Sequence, residues 1–200
     1  QKLLGRLKGG VDLEAETMRE EMMRAESVAK CLRPSPPPKT VGIEIGFFHR
    51  SLFEASGDWY AFEQAGDGRY LHVIMCDAAG HGLQAAFVVA ACKSALDLIK
   101  LDRPDHLNSN RFLAEYAFRL NHVLYSQGNG SLVTTITGVT IDLESDTSYY
   151  IGAGNPLPLH MNSIEGTFEN FTKGKAKYSL PGATPDLQIQ ADEFKFLKGD

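Results

Sequence analysis

The sequence predicts an α+β fold, an antiparallel sheet with helices packed on it, and two observations carry that prediction. Short strand-like runs bounded by turn residues recur along most of the chain. Two helical stretches interrupt them as a block instead of alternating with them, which excludes the βαβ rhythm of a parallel sheet. Length and composition agree: 200 residues with 43% hydrophobic side chains are enough to bury roughly 70% of the unfolded surface in one core.

The first element expected is a helix over Val11 to Arg33. Apolar or small residues recur at Val11, Ala15, Met18, Met22, Ala25, Ala29 and Leu32, alternating steps of four and three that form a seam on one helix face. A seam of Ala and Met packs weakly. It reads either as a coiled-coil surface for a second copy of the chain or as the inner face of a helix lying on its own domain. Pro34-Ser35-Pro36-Pro37-Pro38 then stops the helix, because proline can neither continue a helix nor donate to a ladder. Residues 1–40 are therefore expected to be an N-terminal helical arm with a stiff linker, and residues 41–200 the globular domain.

Within that domain the pattern predicts strands near 43–48, 59–65, 70–76, 132–142, 147–152, 157–161 and 192–197. One helix is expected over 82–100, apolar nearly all round at its start and hence buried. A second, over 110–126, carries Phe112, Leu113, Tyr116, Ala117, Leu120 and Leu124 on one face.

Charge and cysteine usage exclude several roles. A net charge of −5 argues against a nucleic-acid binder. The longest apolar run, the eight residues Ala85 to Cys92, falls far short of the roughly 20 that a membrane-spanning helix needs. Cys31, Cys76 and Cys92 form no C-x-x-C pair, which points to reduced thiols in a cytoplasmic setting. The chain starts at Gln1 without an initiator Met and stops soon after a strand-like run. It reads as the cytosolic piece of a larger protein.

The chemically informative stretch runs from Gly57 to Gly82. Asp67-Gly68 between two strand-like runs signals a two-residue hairpin. With that turn, partners have numbers summing to 135, and Asp58 faces Asp77. Opposed residues share a face with Cβ atoms about 5 Å apart, so the expected core-facing side, with Tyr60, Phe62, Leu71, Val73 and Met75, ends in two acids. Like charges so placed are destabilising unless a cation lies between them or one holds a proton. Oxygen donors at this spacing suit magnesium or manganese. Taken singly, Asp58 reads as a turn residue and Asp77 as a helix N-cap.

Ala78-Ala79-Gly80-His81-Gly82 follows. Its glycines allow close backbone approach to a ligand, and the helix start offers N–H groups to a phosphate. His81 alone reads more readily as a structural or solvent-facing imidazole than as a catalytic one, and His49, His72, His106, His122 and His160 show no ligand spacing. No G-x-S-x-G elbow or G-x-x-x-x-G-K-[ST] loop is present.

These residues resemble the metal-dependent PPM-type serine/threonine protein phosphatases, in the bacterial branch of stage II sporulation protein E and the sigma-factor-regulating phosphatases. Ser56-Gly57-Asp58-Trp59-Tyr60 is similar to the family's G-G-D-[FWY]-Y segment, and Asp77 to Gly82 to its D-x-x-G-H-G segment. Ala153-Gly154-Asn155-Pro156-Leu157-Pro158 approximates A-G-H-x-P, and Leu180-Pro181-Gly182 with Pro185-Asp186 approximates P-L-G-x-x-P.

The resemblance implies a four-layer α-β-β-α sandwich of two antiparallel sheets flanked by helices. It also implies two Mn or Mg ions, with Asp58, Asp77 and the Ala78 carbonyl as ligands and Gly80, His81 and Gly82 on the substrate-phosphate side. No side chain is then a covalent nucleophile: a metal-activated water hydrolyses phosphoserine or phosphothreonine on a partner such as an anti-sigma-factor antagonist. The sequence departs from the family pattern in carrying Asn155 where the family has His, and the family's third acid lies beyond the position of Asp200. Both departures leave open the alternative of a phosphatase-like protein-binding module without turnover.

Overall fold

A computed structural model describes residues 16–21, 23–24, 31–32, 35–50, 57–80, 82–145, 147–170, 179–197 and 199–200. Five strands form one antiparallel sheet: β1 (Asp58–Ala65), β2 (Tyr70–Asp77), β3 (Ile136–Asp142), β4 (Thr147–Ala153) and β7 (Asp192–Lys195), in the order β1-β2-β3-β4-β7. β5 (Leu159–Asn162) and β6 (Thr167–Asn170) form a separate two-stranded sheet. Between β2 and β3 the chain makes α1 (Leu83–Asp102), the short α2 (Pro104–Leu107) and α3 (Phe112–Gly128). The expected α+β class, two antiparallel sheets with flanking helices, is the one found.

The core lies between α1, α3 and one face of the large sheet. Trp59, Ala61, Ile74, Cys76, Ile136, Ile151 and Ala153 pack there against Ala85, Val88, Cys92, Leu96 and Ile99 of α1, and against the predicted face of α3. Each fully buried aliphatic side chain of this set contributes about 2 kcal/mol. Gly138 lets α3 approach β3, since a Cβ there would lie 2.7 Å from Leu113 Cδ2. His72 is fully buried on the same face. Its Nε2 lies 2.7 Å from the Leu107 carbonyl and its Nδ1 2.8 Å from Thr140 Oγ1. Burial lowers its pKa to about 4, so the neutral ring donates to Leu107 and accepts from Thr140.

Several elements differ from the sequence expectation. The turn after β1 spans four residues, with Gly66, Asp67 and Gly68 all at positive φ. The ladder ends at Ala65 opposite Tyr70. A four-residue loop centred on the same bond keeps the sum of 135, so the register stands although the turn is longer. The face shared by the two aspartates is not the helix-packed core. Tyr60, Phe62 and Val73 are half-buried there, Met75 is exposed and only Leu71 is buried. Both faces of this hairpin carry apolar residues, so alternation alone does not say which one the helices cover.

The start of α1 is not buried all round. Leu83 and Phe87 are 65% and 56% exposed, because the sheet reaches only the side bearing Ala85, Val88 and Val89. No strand forms over 43–48, where the ladder is limited to a bridge between Thr40 and Ile43. Phe47 instead lays its ring on Tyr60 and Phe62, with centroids 4.5 and 5.7 Å apart. That contact draws the segment over the outer face of β1 rather than along its edge. β6 and α2 were not expected; Pro104 at the first helical turn fixes the start of α2. The Val11 to Arg33 helix and its seam lie largely outside the described residues. Within it, residues 16–21, 23–24 and 31 are helical.

Candidate metal centre

The predicted pairing of Asp58 with Asp77 is the last rung of the β1–β2 ladder. Both residues are exposed, at the end of the sheet from which α1 departs. Partial burial, then the Asp58 charge, then a hydrogen bond to Asp58 raise the pKa of Asp77. The two carboxyl groups are thus close enough to share a proton, as expected of acids held where a cation can sit.

The backbone around Asp77 is tied on both sides. The Ala78 N–H donates to the Gly57 carbonyl at 3.0 Å, and the Ala79 N–H to the Val133 carbonyl at 3.0 Å. Ala78 is buried, and a Cβ at Gly57 would stand 3.3 Å from its carbonyl oxygen. A glycine before Asp58 therefore leaves room for that carbonyl. Gly80 and Gly82 take the positive φ values of 95° and 67°, which turn the chain from β2 into α1. Gly82 caps α1 without a side chain and no acid occupies the first turn, so the leading N–H groups are open to an anion. His81 lies outside the described residues.

Asn155 comes to the strand beside β2: its Nδ2 donates to Thr137 Oγ1 at 2.9 Å, and Thr137 pairs with Met75. The Pro181–Pro185 stretch is anchored by Asn121, a residue sequence reasoning passed over. Its Oδ1 accepts from the Gly182 N–H at 2.8 Å, and its Nδ2 donates to the carbonyls of Thr184 and Pro185 at 3.1 and 3.2 Å. The signal was an amide set between Leu120 and Leu124 on an otherwise apolar helix face. The Thr134 N–H donates to the Pro181 carbonyl at 3.2 Å, which joins this loop to the strand facing Asp77.

Among the described residues no group of three or more His, Cys, Asp or Glu gathers to hold a metal. Asp200 is engaged elsewhere. Its carboxylate accepts from the N–H groups of Ser163 and Leu197 at 2.9 and 2.8 Å, and lies 2.8 Å from His160 Nε2. These bonds hold its pKa well below the usual carboxylate range and clip the β5–β6 hairpin to the chain after β7.

The model of the stage II sporulation protein E family matches residues 67–200. The chain belongs to this family. The match takes in Asp77 and the glycines after it, whereas Asp58 enters through the ladder. No curated protein sequence matches significantly.

Solved structures similar to this family member include the RsbU and RsbW domains of Rv1364c from Mycobacterium tuberculosis, at 21% identity and a TM-score of 0.53 over 72% of this chain and 37% of that one. RsbX in complex with magnesium aligns at 16% identity and a TM-score of 0.53, covering 72% of this chain and 62% of that one. The SiaA-PP2C domain of Pseudomonas aeruginosa aligns at 17% identity and 0.53, covering 71% and 52%. The chain thus spans less than two thirds of the length of each. At these identities the likeness establishes a shared PP2C-like fold.

Proposed function

We propose that this chain carries the phosphatase domain of a metal-dependent serine/threonine protein phosphatase. In this reading residues 41–200 form the domain and residues 1–40 a regulatory arm. The supporting observation is the acid pair: two carboxylates on one ladder rung, with Asp77 shifted toward its protonated form first by partial burial and then by the Asp58 charge. This donor set fits a hard divalent cation, because an opposed acid pair is relieved by a positive charge between them and oxygen is the ligand such ions prefer. Asp58, Asp77 and the Ala78 carbonyl would hold magnesium or manganese. When bound, the ions supply positive charge against the phosphoryl oxygens and a nucleophilic water at neutral pH.

The protein's own residues then orient the substrate. The open N–H groups at the start of α1, after Gly80 and Gly82, hydrogen-bond a phosphoryl oxygen of a phosphoserine or phosphothreonine side chain. The glycines leave that approach unobstructed. The substrate proposed is a phosphorylated regulatory protein of the anti-sigma-factor-antagonist kind, met in the cytoplasm, and the arm is proposed to pair with a second copy of the chain through its Val11 to Leu32 seam.

The test is release of phosphate from a phosphoserine protein by the full-length protein with manganese. Asp58→Asn and Asp77→Asn should each lower the rate about a thousandfold, the equivalent of several kcal/mol of charge stabilisation. Activity unchanged in both variants overturns the reading. Tight binding of a partner protein without turnover in the wild type supports the alternative binding module, which Asn155, standing where the family has His, favours.

A further inference from the structure

Asp77 is the residue on which the site turns, and its main chain is held in an unusual way by the strand opposite. β2 and β3 pair in register from Tyr70 and Asp142 to Met75 and Thr137, and the same register continues to Asp77 opposite Thr135 and to the Ala78–Thr134 bridge. At a hydrogen-bonded antiparallel pair, each residue donates its N–H to the carbonyl of the other. Here only one of those bonds is main chain to main chain: the Thr135 N–H donates to the Asp77 carbonyl at 2.9 Å. The Asp77 N–H instead donates to the hydroxyl oxygen of Thr135 at 3.0 Å. The side chain of Thr135 replaces a carbonyl of the ladder.

Thr134 offers an internal contrast. Its hydroxyl is buried and lies 3.0 Å from the carbonyls of both Asp77 and Thr135. The Asp77 carbonyl already accepts the Thr135 N–H, so loss of the Thr134 hydroxyl leaves it satisfied. Loss of the Thr135 hydroxyl removes the protein acceptor of the exposed Asp77 N–H and leaves that donor to solvent, so nothing on the strand opposite fixes it. A main chain free to rotate at Asp77 carries with it both its carboxylate and the Ala78 carbonyl that follows.

We propose that Thr135 is a positioning residue, its hydroxyl fixing the Asp77 main chain so that the Asp77 carboxylate and the Ala78 carbonyl are aimed together at a divalent cation. The inference rests on the reading of Asp77 as a cation ligand. It concerns an isosteric distinction: valine keeps the shape of threonine and removes the acceptor, whereas serine keeps the acceptor.

The experiment measures Mn²⁺ affinity by calorimetry, and exchange of the Asp77 amide hydrogen by NMR, in full-length wild type, T135V, T135S and T134V. T135V should weaken Mn²⁺ binding about tenfold or more, in the range typical of residues that orient metal ligands, and should accelerate Asp77 amide exchange at least tenfold. T135S should stay within about twofold of wild type in both, and T134V should leave Mn²⁺ affinity within about threefold. If T135V does not fold, T135A takes its place in the same comparison with T135S. Wild-type Mn²⁺ affinity in the variant lacking the hydroxyl, or equal losses in T135S, overturns the inference while leaving the proposed function standing. Absence of Mn²⁺ binding by the wild type overturns the proposed function, and the amide exchange then decides the role of Thr135 alone.

Discussion

The two ends of the β1–β2 hairpin treat carboxylates in opposite ways. At the turn end, the buried Asp142 of the adjoining strand receives Arg69 through two bonds of 2.9 and 2.7 Å and also accepts the Glu144 N–H at 3.0 Å. Its pKa is lowered, first by the bond from Arg69. At the open end Asp77 faces Asp58 across the last rung and its pKa is raised. One carboxylate is settled by the protein's own base and donors. The other is partly buried beside a neighbouring acid, and both make its charged form less favourable, which suits the proposed cation ligand better than a structural ion pair. The hairpin thus separates an ion-paired acid from the proposed cation ligand by the length of β2.

The largest break in that comparison comes from neutralising one member of the open-end pair. In the metal-free protein Asp58→Asn removes a like charge from the rung, so stability at neutral pH should equal or exceed wild type. With manganese at about a hundred times its dissociation constant, wild type should gain roughly 2.7 kcal/mol, and Asp58→Asn should gain almost none. Thermal melts with and without the ion measure both. A variant that melts lower in the absence of metal and responds fully in its presence would show that the pair is structural, like the turn end.

Between the two ends, His72 sharpens the comparison from within β2. Its folded pKa of about 4 lies below the ordinary value of 6.5, chiefly because of burial. The unfolded chain therefore binds a proton more readily, and stability falls as pH drops from about 6.5 toward 4. Between pH 7 and pH 5 the gap corresponds to roughly 2 kcal/mol, less whatever solvent enters as the site opens. Urea unfolding at pH 7 and pH 5 should show the loss in wild type, and His72→Gln should flatten it. A pH slope unchanged by the substitution would assign the acid sensitivity to other groups.

How much of this could be read from the chain depends on the kind of interaction. The register of the acid pair was legible because it needs only the centre of the turn, and the four-residue loop around Asp67 and Gly68 shares its centre with the shorter turn expected. The buried face of α3 was legible from Phe112 to Leu124 because helical periodicity is local. Which face of the hairpin meets the helices was not, since Trp59 and Ile74 on one side and Phe62 and Val73 on the other are equally apolar. Phe47 has the composition of a strand residue, yet it packs on Tyr60. Asn121 and Thr135 escaped because each acts through a main-chain group more than fifty residues away, a distance over which no sequence pattern runs. Along the seam of the proline-linked arm, Leu32 packs against the core and Met18 is exposed.

The smallest effect belongs to the turn end and tests whether the two ends are independent. Arg69→Ala removes both bonds to Asp142, the 3.2 Å contact with the exposed Glu144, and the guanidinium stacked 4.9 Å from the centre of the Tyr70 ring. Asp142 keeps the Glu144 N–H, so it is not left bare. The Arg69 side chain is 38% exposed, and solvent screening keeps the expected loss below those of the other two changes. The sign with pH follows from the lowered pKa of Asp142. The pair's contribution is complete above the unfolded carboxylate value and is lost only as pH falls through the lower folded one. The cost of Arg69→Ala should therefore be the same at pH 6 and pH 8 in urea unfolding, while the manganese response stays at its wild-type size. A loss of that response would mean that the ladder transmits the turn end to the acid pair, and that the two ends act as one unit.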